Sequence, residues 1–166
     1  MELPTKDLTP KRSSESATDM TQVVLPNDAN PLGFMLGGTV MHLIDIAGAM
    51  AAHRHARERV VTAAVDGLQF LHSIKIGDII ILKSRVTCTF RTSLEVEVEV
   101  FSESITTAGD RKLTSHAYLT FVSLDENGKP TDVPPLAIET PDDEERCRRA
   151  HVRRKERLAR KDKGRA

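Results

Sequence analysis

The stretch TVMHLIDIAGAMAAH occupies residues 39–53 and decides the fold. Ala, Leu, Met and Ile dominate it, and these residues favour an α-helix. Apolar side chains occur on nearly every side, so we expect the helix to be buried over most of its surface. Small residues between positions 47 and 52 would let another backbone approach closely, which suits a helix that lies against the concave face of a sheet.

From residue 60 onward the sequence changes to β-strand alternation. Four segments rich in β-branched residues are separated by short turn signals, so neighbouring strands should pair antiparallel. The alternation is clearest in LEVEVEV at 94–100, where Leu and Val share one face and three Glu share the other. A further short strand is predicted before the helix. The five predicted strands are 21–25, 60–70, 78–90, 93–104 and 112–124.

The order of strand, helix and four strands predicts an α+β fold, a five-stranded antiparallel sheet wrapped around a central helix. One helix cannot cover such a sheet, so we expect a dimer that extends the sheet at its edge. The folded domain is predicted over residues 20–140. Residues 1–19 are polar and predict a disordered arm, and residues 141–166 predict a charged, solvated tail that is helical or frayed.

The charge and the composition exclude several classes of protein. The formal net charge is zero, although the sequence from position 142 onward has 11 Lys and Arg against 6 Asp and Glu. Aromatic residues make up 4% of the 166 residues and Trp is absent, which argues against stacking on nucleic-acid bases. No apolar run approaches the roughly 18 to 20 residues that cross a bilayer, and no secretory signal is recognisable, so a cytoplasmic protein is expected.

The two cysteines, Cys88 and Cys147, are too few for a disulfide framework or a metal knuckle. A reducing compartment is the simplest location for such a chain. We therefore expect no metal, no cofactor and no covalent cross-link.

Asp45 is the residue that the apolar helix does not explain, because it lies between Ile44 and Ile46. An ionised carboxylate removed from water requires a charged or hydrogen-bonding partner, or a functional cleft. The alternative is an exposed stripe that Asp45 shares with His42, three residues earlier. The sequence alone leaves both interpretations open.

The residues before the helix offer what a catalytic carboxylate would need. Gly37 and Gly38 leave the first N–H groups of the helix accessible, at the positive end of its dipole, where a carbonyl oxygen can bind. Asn30 and Gly33, in the preceding loop, either hold a water or a carbonyl group or simply shape a turn.

Eight short motifs follow one another along the domain: NPLG at 30–33, GG at 37–38, MHLID at 41–45, VVT at 60–62, VD at 65–66, FLH at 70–72, IGD at 76–78 and RTSLE at 91–95. As a set they resemble the acyl-CoA thioesterases, or acyl-CoA hydrolases, of the hotdog fold. The resemblance covers about residues 27–135. It implies a helix wrapped by five antiparallel strands, two chains that form a double hotdog, and often three such dimers that form a hexamer.

The resemblance also implies the roles of individual residues. Asp45 would be the catalytic carboxylate, and Asn30 of the facing subunit would orient water or the thioester, at a site that straddles the dimer. The thioester oxygen would lie at the backbone N–H groups of Gly37, Gly38 and Thr39. Asp45 would either activate water or attack the thioester itself, and the sequence does not separate these routes.

CoA carries a pyrophosphate and a 3′-phosphate, which require Arg, Lys or free backbone amides. Arg91, with the hydroxyl groups of Thr92 and Ser93 beside it, is the best candidate, although an ordinary hairpin end would look the same. His72 resembles a position near the pantetheine channel or is a structural loop residue. The prediction is hydrolysis of fatty acyl-CoA, with a non-catalytic acyl-CoA sensor as the alternative.

Overall fold

The computed structural model describes residues 6–107 and 109–163, with side chains as far as residue 161. The elements are β1 (Lys11–Arg12), α1 (Ser13–Ser16), β2 (Thr18–Val23), a 3₁₀ helix (Pro26–Asp28), α2 (Gly37–Ala56), β3 (Arg59–Phe70), β4 (Ile79–Thr89), β5 (Ser93–Glu103), β6 (Arg111–Leu124), β7 (Leu136–Ala137) and α3 (Pro141–Lys163). An antiparallel sheet in the order β2-β4-β5-β6-β3 packs around α2, which confirms the predicted architecture.

Helix α2 begins two residues earlier and ends three residues later than predicted. It ends where Arg57 takes a left-handed conformation, with φ of 56°, and donates its N–H to the carbonyl of His53. Its buried side needs small residues, because a Cβ on Gly48 would lie 3.1 Å from the ring of Phe121. No helix in the described ranges is both long enough and apolar enough to cross a membrane.

The opposite side of α2 carries Met41, His42 and Asp45, which are all exposed. The helix is therefore buried over most of its surface, as expected, but one side of it remains open in a single chain. The physical reason is that the sheet curves around only one side of the helix, and the apolar composition does not show which side remains open.

The two faces of β5 have different surroundings. Leu94, Val96 and Val98 point towards α2 and are fully buried in the apolar core. The alternating glutamates lie on the outer face, as predicted, yet Glu95 and Glu97 are only 2% and 5% exposed. The outer face is therefore covered as well.

Helix α3 provides that cover, so the tail is helical over residues 141–163, but one side of it docks on the sheet instead of being solvated all round. Three arginines of α3 each pair with a carboxylate of the sheet: Arg146 with Glu97, Arg153 with Glu95 and Arg157 with Asp66. They are spaced by seven and four residues, so they share one side of the helix. A run of charges in the sequence does not reveal the carboxylates that it faces, which is why the tail reads as solvated.

The disordered arm expected over residues 1–19 is wrong for residues 6–19, and residues 1–5 lie outside the described part of the chain. Strand β1 pairs in parallel with β7. Ser16 is fully buried and its Oγ accepts a 2.9 Å hydrogen bond from the N–H of Val86. Backbone and hydroxyl hydrogen bonds hold this segment, and its polar composition does not report them.

Cys88 of β4 and Cys147 of α3 form a disulfide. This corrects the expectation that no covalent cross-link is present. The two cysteines are 59 residues apart in the sequence, and they meet because the arginine pairs bring α3 onto the outer face of β4 and β5.

Candidate active site

Asp45 lies in the middle of α2, where Oγ1 of Thr62 on β3 donates a 2.6 Å hydrogen bond to its Oδ1. The side chain of His42 is exposed one turn earlier and has no hydrogen bond to Asp45 within the described chain. The carboxylate is thus oriented by a hydroxyl group and open to its surroundings. Sequence analysis missed the contribution of Thr62. The available signal was its place in a predicted strand beside the helix.

Strand β3 forms one edge of the sheet. It pairs with β6 on one side, and among the described residues no strand pairs with its other side. Val61, Val65 and Phe70 of this strand are each about half exposed. A long edge strand with exposed apolar side chains is a template for a further strand. This edge is therefore where a second copy of the chain is expected to add.

Gly37, Gly38 and Thr39 form the first turn of α2. Leu36 supplies no side-chain cap, and the N–H groups of these three residues have no acceptor in the part of the chain that the structure describes. They are available to bind an oxygen atom at the positive end of the helix dipole. Asp45 follows six to eight residues later, about 9 to 12 Å along the axis. One carbonyl group cannot contact both positions in the same chain.

A cavity of about 290 Å³ lies beside this first turn. Gly37 of α2, Phe70 at the end of β3 and the nearby His72 line it, together with Met35 and Ile74. The structure therefore brings together two of the predicted regions, the helix N-terminus and the FLH motif. The lining is mainly apolar, which suits a neutral, flexible chain.

Asn30 shapes the loop before α2. Its Oδ1 accepts hydrogen bonds from the N–H groups of Leu32 and Phe34, at 3.0 and 3.1 Å. Gly33 takes a positive φ of 83° in the same turn. The Nδ2 group of Asn30 has no partner among residues 6–107 and 109–163, so the amide can still donate to a ligand while the carbonyl fixes the loop.

Arg91 and Thr92 lie in the turn between β4 and β5 and Ser93 begins β5, at the opposite end of the sheet from His72. The Arg91 side chain is 82% exposed and lies 3.2 Å from a carboxylate oxygen of Asp132. A single chain therefore does not bring the candidates for CoA binding together. The described residues do contain one group of possible metal ligands, but it lies outside this region, on the outer face of the sheet.

Comparison with known proteins identifies the family. Residues 32–108 match a model of the thioesterase superfamily. The chain is 41% identical over 126 residues to an uncharacterized acyl-CoA thioester hydrolase, YkhA, of Bacillus subtilis, covering 76% of this chain and 73% of that protein. It is 35% identical over 138 residues to the cytosolic acyl coenzyme A thioester hydrolase of Rattus norvegicus, covering 82% of this chain but only 36% of that longer protein.

Solved structures agree. An apo-hexameric acyl-CoA thioesterase superposes with a TM-score of 0.86 at 39% identity, covering 92% of this chain and 97% of the other. The acyl-CoA hydrolase of Staphylococcus aureus, in complex with butyryl-CoA, CoA and CoA disulfide, gives 0.85 at 35% identity, covering 93% and 94%. The chain therefore belongs to the acyl-CoA thioester hydrolases of the thioesterase superfamily, and the resemblance to hotdog-fold acyl-CoA thioesterases is confirmed.

Proposed function

We propose that this chain hydrolyses the thioester bond of fatty acyl-CoA and releases the free acid and CoA. The observation that carries the proposal is the 2.6 Å hydrogen bond from Thr62 to Asp45 on the open side of α2. Membership of the acyl-CoA thioester hydrolases supplies the class of substrate. The Staphylococcus aureus neighbour, which binds CoA and butyryl-CoA, supports the same class.

The spacing of Asn30, Asp45 and Thr62 supports a shared catalytic role. These residues are separated by 15 and 17 positions. The Staphylococcus aureus enzyme has been solved as alanine mutants of an asparagine, an aspartate and a threonine with the same two spacings. We therefore assign Asp45 as the catalytic carboxylate, Thr62 as the residue that orients it, and Asn30 as the amide that orients water or the thioester.

The active site is proposed to form between two chains. Asp45 and the free N–H groups of its own helix are about 9 to 12 Å apart along the helix axis, so the oxyanion site for one carboxylate must come from elsewhere. Pairing of two β3 edges would bring in Gly37, Gly38 and Thr39 of the other chain, together with its Asn30. The same contact would cover the exposed side of α2.

The chemistry requires little beyond these groups. A thiolate is a good leaving group, so a carboxylate and an oxyanion site suffice and no Ser-His-Asp triad is needed. Asp45 either removes a proton from water or attacks the carbonyl carbon to form a mixed anhydride that water then opens. A rapid-quench burst of CoA ahead of free acid identifies the second route, and equal rates of release are expected for the first.

CoA is proposed to reach from the cavity beside His72 to the turn that contains Arg91, Thr92 and Ser93 of a neighbouring chain. Those positions lie at opposite ends of one sheet, so the ligand must cross an interface. Arg91 would bind phosphate in exchange for Asp132. Arg91→Ala should raise KM for acyl-CoA more than it lowers kcat. Lys129→Ala, which removes another exposed cation, should leave KM unchanged, and an unchanged KM in Arg91→Ala would exclude the assignment.

The assembly is proposed to be a dimer through β3, with three such dimers in a hexamer. Neighbours described as hexameric support this. Light scattering should give the mass of six 18.4 kDa chains. Val65→Asp, which puts a charge on the exposed β3 edge, should abolish both assembly and hydrolysis. Full activity in a monomeric variant would contradict a site shared between chains.

The decisive test is a DTNB assay of CoA release across a series from acetyl-CoA to palmitoyl-CoA. Asp45→Asn should lower kcat by a factor of about 100 to 10,000 without changing the fold. Asp19→Asn makes the same chemical change at a surface pair with Lys83 and should retain activity. A wild-type protein that binds acyl-CoA without turnover would instead identify the non-catalytic sensor.

The location is proposed to be the cytoplasm, as in the rat relative that is named cytosolic. Fractionation of cells should then recover the chain with cytoplasmic markers. A reducing cytoplasm would keep Cys88 and Cys147 as thiols.

A further inference from the structure

Three potential metal ligands converge on the outer face of the sheet. The Sγ atoms of Cys88 and Cys147 and a ring nitrogen of His151 all lie within 4.8 Å of one another. In a tetrahedral site with sulfur at about 2.3 Å and nitrogen at about 2.0 Å from zinc, ligand atoms stand roughly 3.5 to 3.8 Å apart. Once the bond between the two sulfurs is absent, a separation of about 3.8 Å between them would give that arrangement.

The backbone directs Cys88 to this place by an irregularity in β4. The register between β4 and β5 shifts between Val86, which is opposite Val96 on the inner face, and Cys88, which is opposite Glu95 on the outer face. Thr87 is the extra residue of this β-bulge. Bulges commonly re-aim a side chain. Without the bulge, Cys88 would share the inner face with Val86 because faces alternate with period two.

The other two ligands come from α3 and have a geometry that binds metals well. Cys147 and His151 are four residues apart, so they lie on the same side of the helix. The ring of His151 packs edge-on against Phe90, with centroids 5.1 Å apart, and it has no hydrogen bond among the described residues. The imidazole is therefore held beside the sulfurs by packing alone and keeps both ring nitrogens for a ligand.

We propose that, in the reduced protein, Cys88, Cys147 and His151 form a site for Zn²⁺. Reduction by a dithiol or a phosphine first converts the disulfide to two thiols, with oxidation of the reductant. Each thiol then loses a proton to solvent and bonds to the metal through sulfur, and neutral His151 bonds through nitrogen. Two thiolates balance the charge of Zn²⁺. Two sulfurs and one imidazole are a donor set that zinc favours, with a fourth position open to water.

The site serves to hold α3 on the sheet. Cys88 is fully buried on β4, whereas His151 is exposed and leaves the metal a path from solvent. The disulfide joins the same two elements under oxidising conditions. Zinc in the reduced protein and the disulfide in the oxidised protein therefore both fix α3 to β4. The cluster lies on the other side of the sheet from the proposed hydrolytic site.

The test uses the full chain, reduced with a phosphine, freed of metal by a chelator and exchanged into anaerobic buffer. Two DTNB-reactive thiols per unfolded chain verify the reduction. Titration with Co²⁺ should give one ion per chain, with the visible bands of a tetrahedral complex and a thiolate-to-cobalt charge-transfer band. Zn²⁺ should remove both signals. Cys88→Ser, Cys147→Ser and His151→Ala should each weaken binding about tenfold or more.

His53→Ala is the matched control, because His53 is an exposed histidine of α2 far along the chain from this cluster, and it should bind Co²⁺ like the wild type. The oxidised protein should not bind. Co²⁺ affinity and visible bands in His151→Ala that equal those of the wild type would overturn the three-ligand site. Binding no tighter in the reduced wild type than in Cys88→Ser, or a disulfide that resists reduction, would overturn the proposal as a whole.

Discussion

The two long helices of this protein pack on opposite faces of one sheet by opposite means. Helix α2 lies on the inner face, where Val96 and Phe121 meet its small and branched side chains. Helix α3 lies on the outer face, where it presents arginines to Glu95 and Glu97. Apolar contacts hold the first helix, and ion pairs, a cation–π contact and a covalent bond hold the second.

The comparison shows that the alternation of Val and Glu along β5 predicts which residues share a face of the sheet. It does not predict whether that face is buried or exposed. Burial of apolar area is non-directional and does not depend on the protonation of either partner. Buried ion pairs depend on geometry, on hydrogen bonds and on the protonation of each partner. The two faces of β5 should therefore respond to different perturbations, which can be measured as changes in the free energy of unfolding at a fixed protein concentration.

The largest effect is expected on the inner face. Phe121 is fully buried, and its ring contacts the position at Gly48 where α2 approaches the sheet. Phe121→Ala should lower the free energy of unfolding by about 3 to 5 kcal/mol, with little dependence on salt. Urea unfolding followed by circular dichroism measures it. Ile105→Ala, at a 67% exposed side chain, is the control, and similar losses in both variants would contradict a core centred on α2.

The covalent bond of the outer face should come next. Cys147→Ser removes a cross-link that closes 59 residues of sequence, which should lower the free energy of unfolding by about 2 to 4 kcal/mol. The measurement is urea unfolding in the presence of a chelator. Reduced wild-type protein under the same conditions should match the variant. A reduced wild type as stable as the oxidised one would show that the bond contributes nothing.

Acid should also weaken the outer face. Burial acts to raise the pKa of Glu97, but the hydrogen bond from His116 and the charges of Arg146, His116 and Arg85 outweigh burial and hold that pKa at about 2. A depressed carboxyl pKa contributes stability above its unfolded value of 4.5, and this stability is lost as the pH falls towards 2. The loss should reach up to about 3 kcal/mol.

The acid effect is checked by unfolding over a pH series with Glu97→Gln beside the wild type. The variant should be less stable at neutral pH, because Arg146 and Arg85 lose their partner. Its stability should also fall less steeply between about pH 5 and pH 2. Parallel curves for the two proteins would assign the acid response to other carboxylates.

The smallest effect is expected at the far end of α3. Arg157 pairs with Asp66, and both side chains remain partly accessible, at 23% and 16%. Arg157→Ala should cost about 1 kcal/mol, and added salt should reduce that cost. Arg160→Ala, which disturbs only an exposed pair within the helix, should be neutral. A cost that salt does not change would indicate packing rather than charge.

The inner half of the fold is predictable because local and tertiary preferences agree there. The helix of residues 39–53, the LEVEVEV alternation and the short turns all indicate the same architecture. Each predicted strand begins and ends within three residues of the observed bounds. The candidate site could also be predicted from the sequence, because Asp45 breaks an apolar pattern.

The packing of α3 on the outer face of the sheet was not predictable, because the residues that pair there are polar and far apart in the sequence. Arg153 and Glu95 are 58 residues apart, and each alone resembles an ordinary surface residue. The Thr62 contact to Asp45 was missed for the same reason. The number of cysteines does not predict the disulfide, because only the docking of α3 determines whether they meet.

The β-bulge at Thr87 divides β4 into two stretches. Before it, even-numbered residues such as Val86 face the core, and after it, even-numbered residues such as Cys88 face the outer side. Removing this single amino acid would restore a uniform strand in which Cys88 directly follows Val86 and stays opposite Glu95, so its sulfur would keep facing the C-terminal helix. A one-codon deletion there should therefore be tolerated by the contact between this strand and the helix.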